Sequence, residues 1–86
     1  MSNNNIRSAV YDLIAQQFGI EKKEISDDLG PGEIRNWDSI GHVRLVQELE
    51  QFFSINLSVY DVMGFNSVKD IWTFIEKSTT GNKTTE

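Results

Sequence analysis

The chain has 86 residues and a net charge of −5 at pH 7, with 38% hydrophobic and 24% charged residues. This size and composition are typical of one globular domain and exclude a disordered chain. The absence of cysteine and the single histidine argue against a metal site and against a disulfide-stabilised secreted domain. No apolar run is long enough for a membrane span or a signal peptide. We therefore expect a cytoplasmic protein without a metal of its own.

The negative charge is concentrated in the middle of the chain. Residues 27–61 contain seven acidic and two basic residues, so this segment carries the whole net charge. Nucleic acid fits poorly as a partner, because its phosphates require a basic patch. A basic protein partner fits this segment better, and an acidic surface that only keeps the chain soluble is an equally good interpretation.

Apolar residues recur at helical spacing near the start of the chain. They predict a first helix from about residue 5 to 18, capped by Asn4 or Asn5 and ended by Gly19. A long loop follows over residues 19–37, and loops of that length are often functional. Its apolar residues predict that it packs onto the core: Ile20, Ile25, Leu29 and Ile34.

Asp38 is a good N-cap for a second helix, predicted from about Ser39 to Phe53. Its apolar residues fall on one stripe, and polar residues fall mostly opposite. We expect the following residues to form the inner stripe: Ile40, Val43, Val46, Leu49 and Phe53, widened by Leu45 and Phe52.

Two Ser-x-x-Asp sequences predict two further helix starts. The first, at Ser58, opens a short helix that ends near the next glycine, and the second, at Ser67, opens a last helix to about Lys77. The fold is therefore predicted to be all-α, a small four-helix bundle with three longer helices, one short helix and a long first loop. We expect a single domain over residues 1–77 and a flexible polar tail over residues 78–86.

No residue pattern points to catalysis. Gly30-Pro31-Gly32 lacks the Lys-Ser/Thr pair that completes a phosphate-binding loop. His42 alone, three residues after Ser39, does not make a catalytic triad. Adjacent acidic residues are usually solvated. We therefore expect that the protein is not an enzyme.

Ser39 is the residue at which the sequence points most directly to chemistry. It is predicted to lie in the first turn of the second helix, just after its cap, Asp38. Backbone N–H groups are unpaired at that end of a helix, and the helix dipole favours an anion there. A phosphate ester on Ser39 would therefore be electrostatically favourable. Taken alone, Asp-Ser is also simply how many helices begin.

Over residues 6–77 the chain resembles an acyl carrier protein in helix order, loop length and short third helix. The family signature, Asp-Ser-Leu followed by an amphipathic helix, corresponds to Asp38-Ser39-Ile40 in the run WDSIGHVRLVQELEQFF of residues 37–53. The resemblance implies that Ser39 carries a 4′-phosphopantetheine arm, which a phosphopantetheinyl transferase takes from coenzyme A with Mg²⁺ in its own site. The thiol of that arm would carry acyl groups as thioesters between enzymes of a biosynthetic pathway.

The resemblance also implies roles for the residues around the attachment site. Asp38 would cap the helix and contact the transferase or its metal, and Ile40 would contact partner enzymes where the family usually has Leu. Further partner contacts are expected at charged residues of the second and third helices: Arg44, Glu48, Glu50 and Asp61. The alternatives are that Ile40 is plain core and that the acidic residues are unpaired surface. The implied partners are the transferase and acyl-loading and acyl-transferring enzymes, with no nucleic acid or membrane, and the chain is expected to be monomeric.

Arg44 departs from the carriers of bacterial fatty-acid synthesis, which resemble one another in presenting acidic residues along this helix. A partner adapted to acidic residues would be repelled by it. This favours a stand-alone carrier of a specialised polyketide-like or fatty-acid-like pathway. Two alternatives stay open: an aminoacyl or peptidyl carrier of a nonribosomal-peptide system, and a helical adaptor in which Ser39 only starts a helix.

Trp37 precedes the cap and His42 follows it within the helix, so the two side chains are predicted to pack together as a staple. Their alternative role is to flank the pantetheine arm. Six bulky aromatic residues are expected to fill the small core and leave little room for a lipid chain. They are Phe18, Phe52, Phe53, Phe65, Trp72 and Phe74. We therefore predict short or polar cargo that stays outside the bundle.

Overall fold

The computed structural model describes the backbone of residues 2–84 and the side chains of residues 6–78. In that part of the chain there are four α-helices and no β-strand, which confirms the predicted all-α fold. The helices are α1 (Ser2–Phe18), α2 (Ser39–Phe53), α3 (Val59–Met63) and α4 (Val68–Thr84). None of these described helices has both the length and the apolar character needed to cross a lipid bilayer.

The bounds of α2 and α3 agree with the prediction, whereas α1 begins earlier than predicted. It starts at Ser2, so Asn4 and Asn5, the predicted caps, lie inside the helix. A nucleated helix gains one backbone hydrogen bond for each residue added, so even residues with weak helix propensity prolong it. The loop after α1 also contains a short 3₁₀ helix, Lys22–Glu24, which the sequence pattern did not predict.

The last helix is longer than predicted. α4 continues past Lys77 to Thr84, into the polar segment. This segment contains no proline to stop the helix, which is why polarity alone did not mark its end. Residues 85–86 lie outside the described residues, and the division into a domain of residues 1–77 and a flexible tail of residues 78–86 stays a prediction.

The core lies where α1 packs against both α2 and α4. The helices contribute buried side chains at helical spacing: Val10, Leu13, Ile14, Phe18, Leu45, Val46, Leu49, Val68, Ile71 and Ile75. The predicted inner stripe of α2 is wrong at three positions, because Ile40, Val43 and Phe52 are 67%, 53% and 59% exposed. Apolar residues surround most of this helix, so periodicity could not identify the side that faces α1.

Five of the six aromatic residues assigned to the core do pack into it or against it, and Phe52 is the exception. Phe18 and Phe65 are buried, whereas Phe53 and Phe74 are half-buried against the core. Aromatic rings therefore fill much of the interior, as predicted.

The long loop after α1 packs onto the core, as its apolar residues predict. Ile25 and Ile34 are buried, and the loop is tied to the start of α4 by two backbone hydrogen bonds. The N–H of Val68 donates to the carbonyl of Leu29 at 2.7 Å, and the N–H of Lys69 donates to the carbonyl of Asp27 at 3.1 Å. The loop is thus a structural layer that joins α1 to α4.

Asp27 joins three elements through its side chain. Its carboxylate accepts hydrogen bonds from the Tyr11 hydroxyl at 2.6 Å and from the Trp72 indole N–H at 2.9 Å. The Arg7 guanidinium donates to both carboxylate oxygens at 3.3 Å and also lies over the Tyr11 and Trp72 rings. Partial burial of Asp27 opposes its ionisation, but the hydrogen bonds from Tyr11, Trp72 and Arg7 outweigh it and hold the pKa below its ordinary value.

The lowered pKa of Asp27 predicts that the free energy of unfolding decreases at acidic pH. The unfolded chain binds the proton more readily, so the stabilisation is complete above about pH 5 and is lost as the pH falls through the lowered pKa. Asp27→Asn removes the charge that the three donors share, and we expect it to reduce the free energy of unfolding by about 1–2 kcal/mol at pH 7. The loss should shrink towards about pH 2.

Chemical denaturation of wild type, Asp27→Asn and Asp28→Asn across that pH range measures this effect. Asp28 is exposed and makes the same change of charge, so its variant is the matched control. Equal losses in the two variants, or a loss in Asp27→Asn that does not change with pH, would contradict the assignment.

Candidate functional site

The first turn of α2 is built as its sequence predicts. Asp38 has extended backbone angles, and its Oδ1 accepts a hydrogen bond from the N–H of Gly41 at 3.0 Å, which confirms it as the N-cap. The carbonyl of Asp38 accepts the first helical hydrogen bond, from the N–H of His42 at 2.8 Å. Ser39 is the first helical residue, and it is exposed. Its hydroxyl is therefore carried at the positive end of a 15-residue helix.

Gly41 is buried where α2 crosses the end of the long loop. A Cβ at this position would collide with the backbone oxygen of Asn36 and would lie 2.9 Å from the Phe18 ring. Asn36 itself has a positive φ of 74°, a conformation that asparagine tolerates better than most residues. The absence of a side chain at Gly41 thus lets the loop end reach the first turn of α2, two residues after Ser39.

A groove of about 560 Å³ opens beside Ser39. It lies between the end of the long loop and α3, and its walls are mostly apolar. The residues that line it, apart from Asp38 and Ser39, are Pro31, Gly32, Trp37, His42, Val62, Met63, Phe65 and Asn66. The groove is open to the surface and outside the packed core of the bundle.

Trp37 and His42 contact one another, as predicted, but through a hydrogen bond and not as an apolar staple. The indole N–H of Trp37 donates to His42 Nδ1 at 2.9 Å, and the two rings are inclined by 21°. On its other side, His42 Nε2 lies 3.2 Å from the carbonyl oxygen of Val62 in α3. Trp37 is only 1% exposed and stacks on Phe18. These contacts join the loop, α2 and α3 next to Ser39.

The outer face of α2 is partly apolar. Ile40 and Val43 are exposed there, next to Arg44 and Glu48, which are exposed as well. The exposure of Ile40 excludes the alternative that it is plain core. Val43 was missed as a surface residue, because its place in the apolar repeat suggested burial.

The other two predicted contact residues hold the local backbone. Glu50 Oε2 accepts a hydrogen bond from the N–H of Leu57 at 2.8 Å, and Asp61 accepts one from the N–H of Ser58 at 3.0 Å in a complete capping box. Each carboxylate therefore orders the chain around α3. Their role in partner binding stays a prediction.

The short helix α3 presents three further apolar residues that sequence reasoning missed: Val59, Tyr60 and Met63, which are 70% or more exposed. A helix of five residues that buries no side chain can be recognised from sequence only by its length and its caps. Among the described residues, no group of three His, Cys, Asp or Glu side chains is placed to hold a metal ion.

Comparison with known proteins identifies what this arrangement belongs to. The family model for the phosphopantetheine attachment site matches residues 8–75. An acyl carrier protein of Akkermansia muciniphila is 32% identical over 77 residues, which cover 90% of this chain and 96% of that protein. The chain belongs to the acyl carrier protein family. Acyl carrier proteins of Aster yellows witches'-broom phytoplasma, 36% identical over 70 residues and 81% of this chain, and of Chlorobium luteolum, 32% identical over 83 residues and 90% of this chain, are also similar.

Family membership settles three expectations from the sequence. This acyl carrier protein has a covalently attached phosphopantetheine group, it is a carrier and not an enzyme, and the non-carrier adaptor alternative is excluded. The residues at the start of α2 fit such a group: an exposed hydroxyl at a positive helix end, beside a groove that is open to the surface.

The contact between Gly41 and Asn36 predicts a sharp steric requirement in this carrier. Gly41→Ala forces a methyl group against a backbone oxygen that cannot rotate away, so we expect a loss of about 1–3 kcal/mol in the free energy of unfolding. Gly64→Ala is the matched control, because its Cβ would meet nothing closer than the Asp61 carbonyl oxygen at 3.5 Å. Thermal or chemical denaturation measures both variants. Equal stability of the two would show that the loop end yields to α2 without cost.

Proposed function

We propose that Ser39 is the residue that carries the phosphopantetheine arm, and that the chain uses it to shuttle acyl intermediates as thioesters between enzymes of a polyketide-like or fatty-acid-like pathway. The observation that carries this proposal is the exposure of Ser39 as the first residue of α2. A transferase can reach this hydroxyl without unfolding any part of the chain.

The electrostatics of the helix start support a phosphodiester at Ser39. The unpaired backbone N–H groups of the first turn and the helix dipole both favour a negative charge at this end. Asp38 satisfies one of these groups, the N–H of Gly41. Asp38 is exposed, so its carboxylate is also within reach of a transferase and the Mg²⁺ that the transferase carries.

The arm supplies a thiol on a long flexible tether. Since the chain contains no cysteine, it has no thiol of its own to compete for the acyl group. The groove beside Ser39 is mostly apolar and lies outside the core, which supports cargo that rests against the surface.

The surface that partners meet combines apolar and charged residues. Ile40 and Val43 are exposed one and four residues after Ser39, and Arg44 and Glu48 give this face one charge of each sign. Partner contacts must be small and transient for a shuttle to work, so a few apolar contacts with weak charge steering suit this role. The positive charge of Arg44 supports the proposal that the partners belong to a specialised pathway. We further propose that the protein is cytoplasmic and monomeric.

Modification of Ser39 is tested directly by intact mass. After incubation with coenzyme A, Mg²⁺ and a broad-specificity phosphopantetheinyl transferase, wild type should gain the mass of one phosphopantetheine, whereas Ser39→Ala should gain none. Ser58→Ala removes the hydroxyl of another helix start and should be modified like wild type. Modification of Ser39→Ala would overturn the proposal, and so would a wild-type chain that stays unmodified while a control carrier is loaded.

Ile40 offers a test of the partner surface. An exposed apolar side chain that becomes buried against the transferase contributes on the order of 1–2 kcal/mol, so Ile40→Ala should raise the KM for the chain roughly tenfold with little change in kcat. Phe52→Ala is the control, because Phe52 is also well exposed, at 59% against 67% for Ile40, but lies at the far end of α2. If the two variants raise KM equally, the transferase does not read the surface beside Ser39.

A further inference from the structure

The two hydrogen bonds of the His42 side chain depend on the charge of its ring. The indole N–H of Trp37 is only ever a donor, so the hydrogen bond to His42 Nδ1 requires that Nδ1 carry no proton. The proton of the neutral ring is then on Nε2, which donates to the carbonyl oxygen of Val62 at 3.2 Å. Both hydrogen bonds therefore depend on one tautomer of one neutral side chain.

The helix that receives the second hydrogen bond has few other attachments. α3 is five residues long and buries none of its side chains. Glu50 holds the N–H of Leu57 before the helix, and the buried Phe65 follows it. Among the described residues, the bond from His42 to Val62 is the one side-chain hydrogen bond that α2 makes to α3 itself.

We propose that His42 is a positioning residue that holds α3 against the groove beside Ser39 only while its imidazole is neutral, and that protonation releases α3 and widens the groove. The role given to Ser39 rests on the proposed function, whereas the release of α3 does not. In the protonated ring both nitrogens are donors, so the new Nδ1–H faces the indole N–H of Trp37. The ring must turn away from Trp37, and that movement also takes Nε2 away from Val62.

The charge of the His42 ring has to be considered together with the other ionisable groups around the groove. The other ionisable residue that lines the groove is Asp38, whose Oδ1 accepts the N–H of Gly41. On the neighbouring elements, the carboxylates of Asp61 and Asp70 accept hydrogen bonds from the backbone N–H groups of Ser58 and Asn66. All three carboxylates thus accept backbone hydrogen bonds, and His42 is the imidazole that lines the groove.

The two tryptophans make a spectroscopic test with an internal control. We would follow both indole N–H resonances and the His42 ring resonances of the unmodified chain by NMR, from about pH 8 to pH 5. The Trp37 indole signal should move with the same midpoint as the His42 ring. The Trp72 indole signal should stay in place, because its N–H donates to Asp27, which titrates at lower pH. A Trp37 signal that does not follow His42 would overturn the proposal.

Two variants separate the two hydrogen bonds of His42. His42→Asn can still accept from Trp37 but is too short to reach Val62, so hydrogen exchange at the amide of Val62 in α3 and at the amide of its C-cap, Gly64, should be roughly fivefold to tenfold faster than in wild type. His42→Gln can still donate to Val62 and does not titrate. It should therefore keep these amides protected, and the degree of protection should no longer depend on pH.

The amide of Ile71 in α4 is the reference for general destabilisation, because Ile71 is fully buried in the core and does not line the groove. Faster exchange of Ile71 together with α3 in His42→Asn would show a merely structural role and overturn the proposal, as would unchanged exchange of α3. None of these measurements uses coenzyme A or a transferase, so a failure at Ser39 and a failure of this switch are distinguishable.

Discussion

The burial of Trp37 immediately before α2 is the constraint on which the site depends. Its ring is 1% exposed and stacks on Phe18 of α1, and its backbone N–H and carbonyl close the end of the long loop through Ile34 and Gly32. With Trp37 turned inward and Asp38 extended, the chain enters α2 with Ser39 at the surface. The anchor of the loop thus fixes which residue the first turn of the helix presents.

Local signals gave the helix order and the bounds of α2 and α3, because caps act through hydrogen bonds between residues three apart. Asp38 and Ser58 both cap as expected. At the start of α4 the partner of the Asp70 carboxylate differs from a standard capping box by one residue, because the carboxylate accepts from the N–H of Asn66 and not from that of Ser67. The side of each helix that faces the core was harder to predict. Ile40 is as apolar as Leu45, and only the position of α1 and the close approach at Gly41 decide which of them is buried.

Contacts between residues distant in the sequence were beyond prediction. The carboxylate of Asp27 binds a side chain 45 positions away, and nothing near Asp27 in the sequence indicates that Tyr11 and Trp72 reach it. The contact between Trp37 and His42 was predicted because the two residues are close in sequence, but the hydrogen bond between them was not predicted. A spacing of five residues predicts contact, whereas the hydrogen bond depends on the orientation of both rings and on the carbonyl of Val62.

The fold divides its polar contacts unevenly, and this division suits a carrier. On the side of α1 and α4, Asp27 and the backbone of the loop hold the chain with several hydrogen bonds, so a movement there would have to break several of them. On the side of α3, apolar residues remain exposed and the helix buries no side chain, so little energy opposes its movement. The shuttle that we propose needs a surface that adapts at small cost, and α3, with its capping box and its hydrogen bond from His42, is such a surface next to Ser39.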